Sequence, residues 1–312
     1  MKMQDAHNPL KMLAAVALTS LLALAMTGCT RSDARKISLE KKAPLSAPVP
    51  GPEQPGLRIG MGALNTPKEG YLYYRRLKEY LAKELRMPVT LVDRENNAEM
   101  NRLLAVGGVD VAFVGAGPYV EGHDRFGLEL LVMPLVKGKS AYHSYIIVPK
   151  DSTANSLDDL RGKRFAFTEP QSNSGKLVPT YLLARHKETP KSFFGKVSYT
   201  YGHDISIASV AKKLVDGAAV NSLIWDYLAR TRPELTTKTR IVYVSEPYGI
   251  PPMVVKNLNP ALRERLLKVL LSMHETPEGK DVLAGMMIDR FVPGNDANYD
   301  SIRAIKRWTM GH

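Results

Sequence analysis

An α/β protein built as two lobes is the fold class this sequence predicts, and two observations predict it. Short runs of β-branched and aromatic residues alternate with amphipathic segments at helical spacing, and the alternation runs through twice between Leu57 and His312. That length suffices for two lobes of ordinary domain size. No sequence repeat accompanies the second pass; only the architecture recurs.

In the first pass, residues 57–62 read as a strand. Residues 71–86 read as a helix, because Tyr73, Leu77, Tyr80, Leu81 and Leu85 fall at helical spacing. Strand 89–93, helix 98–106 and strands 109–114 and 128–135 follow. The second pass runs through strands 145–148 and 164–167, helix 176–186, strand 197–201, helix 204–215 and strands 218–221 and 240–244. Residues 260–284 and 298–308 are patterned as helices and are expected to pack back on the first lobe.

Ahead of the lobes, Lys2 and Lys11 precede an apolar stretch, residues 12–26, which ends in Met26-Thr27-Gly28-Cys29. A charged start, a short apolar run and small residues make an export signal over 1–28, too short to span a bilayer comfortably. The ending resembles the lipobox of bacterial lipoproteins, which implies that Cys29 is lipid-modified and becomes the new N-terminus; Met26 departs from the usual Leu. As Cys29 is the single cysteine, an intramolecular disulfide and a thiolate metal cluster are both excluded. Residues 29–56 are polar and then rich in proline, at Pro44, Pro48, Pro50, Pro52 and Pro55, and read as a semi-extended disordered tether.

The chain has 43 Lys and Arg against 31 Asp and Glu, a net charge of +12. Basic and acidic residues intermix on the helical segments, and no nucleic-acid-binding signature is present, so the charge reads as a solvated surface with a mild pull on anions. The seven histidines show no metal-ligand spacing. Serine, histidine and aspartate occur, yet no strained nucleophile elbow such as Gly-x-Ser-x-Gly does, which argues against an enzyme. No cofactor is expected.

One loop points to function. Thr168-Glu169-Pro170-Gln171-Ser172-Asn173-Ser174-Gly175 connects an apolar run to a predicted helix. The first N–H groups of a helix have no intrahelical partner and carry the positive dipole end, so such a loop can cradle an oxyanion without a charged side chain. The same residues also read as an ordinary N-cap. His203 opens a predicted helix at the carboxyl end of a strand, where ligands of open α/β sheets bind. Asp204 beside it reads as an acid of the first helical turn, and His123, Asp124 and His143 as surface or supporting donors.

Four stretches then carry a resemblance over roughly 57–255: Val109-Asp110-Val111-Ala112-Phe113-Val114-Gly115 with Tyr119; Tyr142-His143-Ser144-Tyr145-Ile146-Ile147-Val148; Glu169-Pro170-Gln171-Ser172-Asn173-Ser174-Gly175 with Pro179; and Gly202-His203-Asp204 leading into Val215-Asp216-Gly217-Ala218. Together they resemble the phosphonate, phosphite and phosphate-binding subunits of bacterial ABC importers. The resemblance implies a type II periplasmic binding protein fold, with an interlobe cleft and a two-segment hinge near 141–145 and 244–247. Lobe 1 would comprise 57–143 and 246–312, and lobe 2 would comprise 144–245.

The family's loop usually reads Asp-Pro-x-Ser-Thr-Ser-Gly, so Glu169 and Asn173 depart from it while Ser172, Ser174 and Gly175 stand in register. By resemblance, Ser172, Asn173, Ser174 and Gly175 hold the oxyanion, the Tyr142 phenol and the His203 imidazole donate to it, and Tyr119 lines the cleft. A further family tyrosine falls at Asn97, whose amide can still donate. The carboxylates that hold the ammonium of aminoalkylphosphonates fall at Leu223 and Pro251, which predicts a compact ligand without an ammonium. Residues 248–252 would form an apolar wall, and Asn221 and Asp226 would offer acceptors to a protonated oxygen. The implied partners are a phosphorus oxyanion, an ABC permease with its ATPase, and the membrane reached through the lipid; the protein would act as a monomer. A sensory subunit, or a receptor for another small anion such as a sulfonate, would fit the same architecture.

Overall fold

Residues buried on both faces mark the middle of a sheet, and Val111–Phe113 and Gly217–Asn221 are buried throughout. Each lies within a different sheet. The computed structural model describes residues 56–62, 68–94 and 96–311, so the export signal, Cys29 and all of the tether but Gly56 lie outside the described residues.

The first sheet has the order β13-β4-β12-β3-β1-β2. Its strands are β1 (Leu57–Met61), β2 (Val89–Asp93), β3 (Val111–Phe113), β4 (Glu129–Leu135), β12 (Met253–Val255) and β13 (Arg290–Pro293). β1 runs parallel to β2 and β3, whereas β12 returns antiparallel between β3 and β4. The second sheet has the order β10-β6-β9-β7-β8 and comprises β6 (Ser144–Pro149), β7 (Arg164–Phe167), β8 (Lys196–Tyr199), β9 (Gly217–Asn221) and β10 (Thr239–Val244). Its β7 is parallel to both neighbours, the arrangement that crossover helices impose.

Two segments carry the chain between the sheets, and they pair with each other. β5 (Ala141–Tyr142) and β11 (Tyr248–Gly249) form a small antiparallel ladder with Tyr142 opposite Tyr248. Beyond it, the Ser144 amide donates to Ser245 Oγ at 2.8 Å, and the ring nitrogen Nδ1 of His143 lies 2.7 Å from the Ser245 carbonyl oxygen. His143 therefore ties the two crossings together.

Two expectations need correction. Residues 260–284 do not form one helix, because the run breaks into Pro260–Ser272, a short 3-10 turn and Pro277–Gly285. Pro277 supplies no N–H and pushes Thr276 into an extended conformation, and the Thr276 hydroxyl then caps the new helix by accepting from the Gly279 amide at 3.0 Å. The last helix, Asp300–Met310, packs on Ala116–Phe126 as expected but also on Val178–Ala184, which follows the second sheet's β7. Trp308 meets Tyr181 edge-on there, at 5.1 Å.

Candidate ligand-binding site

A small cavity, with about 290 Å³ of empty space, opens where the two sheets face each other. Asn97, Gly115, Ala116 and Pro118 line it from the first side, and Glu169, Ser172, Asn173, Ser174, His203 and Asn221 from the second. Tyr142 and Pro251 complete it from the crossings. Among the described residues, no lysine or arginine lines it, and Glu169 is its one carboxylate.

The loop after β7 is built as a cap. Ser172 has extended backbone angles, φ −66° and ψ 127°, and its Oγ accepts the Gly175 amide at 3.0 Å. That leaves the Ser172 hydroxyl hydrogen to donate. Of the loop residues that read as an N-cap, Ser172 is the one that caps. The turn that follows, Asn173–Leu177, is a π-turn that runs into the helix Val178–Ala184, so the regular helix expected from residue 176 starts two residues late. In this wide turn the amides of Asn173 and Ser174 precede any intrahelical acceptor. Gly175 does not line the cavity. A Cβ there would run into the Thr168 hydroxyl, so glycine is what lets the turn close on its own loop.

Donors converge on this turn. The buried Tyr142 oxygen accepts from Asn173 Nδ2 at 3.0 Å, so its own hydrogen remains available. Burial pushes the phenol up to about 12, against hydrogen bonds from Asn173 and Ser174, and it stays protonated at neutral pH. His203 opens the helix His203–Ala211, and its Nδ1 accepts the Asn221 amide at 3.0 Å. This bond fixes the proton on Nε2. Burial pushes the imidazole down to about 3, so His203 is a neutral donor rather than a cation.

Asn221 is the N-cap of Ser222–Thr231, and its Oδ1 accepts the Leu223 amide at 2.8 Å. Its oxygen is engaged, and what it can offer the cavity is its NH₂ group, the reverse of the acceptor expected. Asp226 lies elsewhere, paired with Lys137 at 2.7 Å. Tyr119 does not line the cavity either. Its ring sits in the core, edge-on to Tyr299 at 4.6 Å, and its hydroxyl donates to Asp296 at 2.6 Å.

Asn97 lines the cavity in a different role from the one expected. Its backbone amide donates to Glu169 Oε2 at 3.1 Å, its Nδ2 donates to Glu169 Oε1, and its Oδ1 accepts from the Gly115 amide at 3.2 Å. The two departures from the family pattern, Asn97 and Glu169, therefore bond to each other across the cleft. Burial raises the Glu169 carboxyl, partly offset by those two bonds. Sequence reasoning missed Glu169, Gly115, Ala116 and Pro118 as lining residues. For Glu169 the signal was its departure from the usual loop.

A second and larger cavity, with about 820 Å³ of empty space, lies between Tyr73, Tyr74 and Met286 on one side and Leu223, Ile224 and Tyr227 on the other. Ile250 and Pro251 line it, consistent with an apolar wall, and Leu223 faces this space rather than the small cavity.

Known proteins support this reading of the architecture. The family model described as "ABC transporter, phosphonate, periplasmic substrate-binding protein" matches residues 59–299. The Phosphonates-binding periplasmic protein of Escherichia coli K12 is 30% identical over 203 residues, covering 63% of this chain and 60% of the relative. A probable ABC transporter phosphite binding protein of Prochlorococcus marinus is 25% identical over 179 residues, covering 53% of this chain and 60% of the relative. The chain thus spans less than two thirds of the length of these curated relatives.

Among solved structures, a binding protein component of an ABC phosphonate transporter from Pseudomonas aeruginosa superposes with a TM-score of 0.78 at 23% identity, covering 83% of this chain and 87% of that one. A Prochlorococcus marinus protein in complex with methylphosphonate superposes with a TM-score of 0.73 at 20% identity, covering 80% and 97%. At these identities the likeness is one of fold, that of the two-lobed type II periplasmic binding proteins. With the family's sequence pattern running through both sheets and the cavity between them, this chain belongs to the periplasmic substrate-binding proteins of phosphonate ABC transporters.

Proposed function

We propose that this protein is an exported binding protein, anchored by lipid at Cys29, that captures a small phosphorus oxyanion for an ABC permease and its ATPase. Phosphite, a small alkylphosphonate and phosphate are the ligands the site suits. The observation that carries the reading is the convergence of neutral donors on one small cavity: the Ser172 hydroxyl, Ser174 and Asn173 of the π-turn, the Tyr142 phenol and the Nε2–H of His203. Fixed neutral dipoles stabilise an anion strongly once water is excluded. The relatives named for phosphonate and phosphite binding support the same substrate class. Binding and release, with closure around the crossings β5 and β11, would be the whole mechanism.

Isothermal titration of the purified protein with phosphite, methylphosphonate, phosphate, sulfate and 2-aminoethylphosphonate tests this. The first three should bind, and the last should bind poorly, because Pro251, which lines the small cavity, takes by resemblance the place of one of the family's ammonium-holding carboxylates, and Leu223, at the other, faces the larger cavity. Replacing both Ser172 and Ser174 by alanine should weaken binding by at least about a hundredfold, since hydrogen bonds to a charged group contribute about 1.5–3 kcal/mol each. Unchanged affinity in that variant would move the pocket elsewhere.

A further inference from the structure

An anion site with no cation and one buried carboxylate poses an electrostatic problem. Glu169 lines the cavity beside Ser172, and it is buried to 6% exposure. Both its oxygens accept from Asn97, and each oxygen keeps a further lone pair. The titratable groups that share the cavity are Tyr142, from the crossing strand, and His203, from its helix, and both are neutral. Asn97, Gly115, Ala116 and Pro118, from the facing side, carry no charge. Lys176, in the same turn as Ser174, lies over the Phe167 ring at 4.0 Å and does not line the cavity. Among the described residues, nothing charged in the lining offsets Glu169.

A carboxylate and a fully ionised oxyanion cannot share such a space, because two acceptors in contact repel and neither is solvated. A proton between them turns the repulsion into a charge-assisted hydrogen bond. We propose that Glu169 is a specificity-determining residue: it accepts a hydrogen bond from the protonated oxygen of a monoprotonated phosphorus oxyanion and thereby refuses sulfate and sulfonates. Phosphorus oxyanions suit this because their last ionisation falls near neutrality, at about 6 for phosphomonoesters. Sulfate and sulfonates hold no proton there. The same balance holds if the dianion binds and Glu169 carries the proton. Burial, which raises the Glu169 carboxyl, assists in either case. The inference rests on the oxyanion reading above and adds the proton to it.

The test is calorimetry of methylphosphonate and sulfate binding to the full chain at pH 6 to 9, in buffers of different ionisation enthalpy, which counts protons taken up. The wild type should take up close to one proton in the alkaline part of the range. Its methylphosphonate affinity there should fall about tenfold per pH unit, and sulfate should not bind. In Glu169→Gln, whose amide oxygen can still accept one of the two bonds from Asn97, proton uptake should vanish and sulfate affinity should rise about tenfold or more. Methylphosphonate binding to the wild type with no proton uptake would overturn the inference while leaving the oxyanion reading intact. So would tight binding of 2-aminoethylphosphonate that Glu169→Gln abolishes, which would make Glu169 an ammonium partner. Failure of phosphite, methylphosphonate and phosphate alike to bind the wild type would end both.

Discussion

His203 shows how a single hydrogen bond sets chemistry. Because Nδ1 accepts the Asn221 amide, the ring presents Nε2–H to the cavity, and because the ring is buried it stays neutral with a value of about 3 against 6.5 when unfolded. A histidine whose folded value is depressed opposes folding in acid, since the unfolded chain binds the extra proton first. Stability should therefore fall as pH drops from about 6.5 towards about 3, by about 1.4 kcal/mol per pH unit from this residue. Chemical denaturation of wild type and His203→Gln across that range checks it, and the variant should lack that part of the slope. Of the residues named from the sequence, Ser172, Asn173, Ser174, Tyr142, His203, Asn221 and Asn97 line the small cavity; the serine loop and His203 stood out at predicted helix starts, whereas Tyr142 and Asn97 were named through the family resemblance. Glu169 was not legible as a lining residue. Its burial depends on Asn97, 72 positions earlier, and no local pattern records that bond.

At the scale of elements, one helix approaches the loop so closely that a side chain would not fit. A Cβ on Gly117, within Ala116–Phe126, would sit 2.5 Å from the Gln171 carbonyl oxygen and 3.1 Å from the Asn173 amide nitrogen. In an isolated helix, alanine would be favoured over glycine by about 1 kcal/mol, so Gly117→Ala should not weaken its own helix. It should instead hold the loop away. Ligand affinity should drop tenfold or more, as about 1.4 kcal/mol of clash suffices, while the unliganded protein melts no lower than wild type. Titration and thermal melts of the same preparation distinguish this from simple destabilisation.

Val89–Asp93 has the bounds that its β-branched residues predict, and Arg164–Phe167 those of a short apolar, aromatic run. By contrast, the π-turn at Asn173–Leu177 and the break at Thr276 reflect capping and proline chemistry that a hydrophobic pattern smooths over.

Across the whole molecule, two sheets meet through a paired crossing and a few bonds that span the cleft. The exposed pair Lys137–Asp226 contributes little, as surface ion pairs contribute about 0–1 kcal/mol. The buried Asn97–Glu169 bonds and the fit of Gly117 against the loop matter more to how the halves meet. The two-sheet division was legible because the strand and helix grammar runs through twice, whereas the reach of the last helix onto Val178–Ala184 depends on Trp308 and Tyr181 meeting across 127 positions, which the local pattern does not record.

The most direct test of the central claim is a crystal structure with methylphosphonate or phosphite bound. The account predicts its oxygens within hydrogen-bonding distance of Ser172 Oγ, the amides of the Asn173–Leu177 turn, Tyr142 Oη and His203 Nε2. An anion lodged away from that turn, or an empty cavity at saturating ligand, would contradict it.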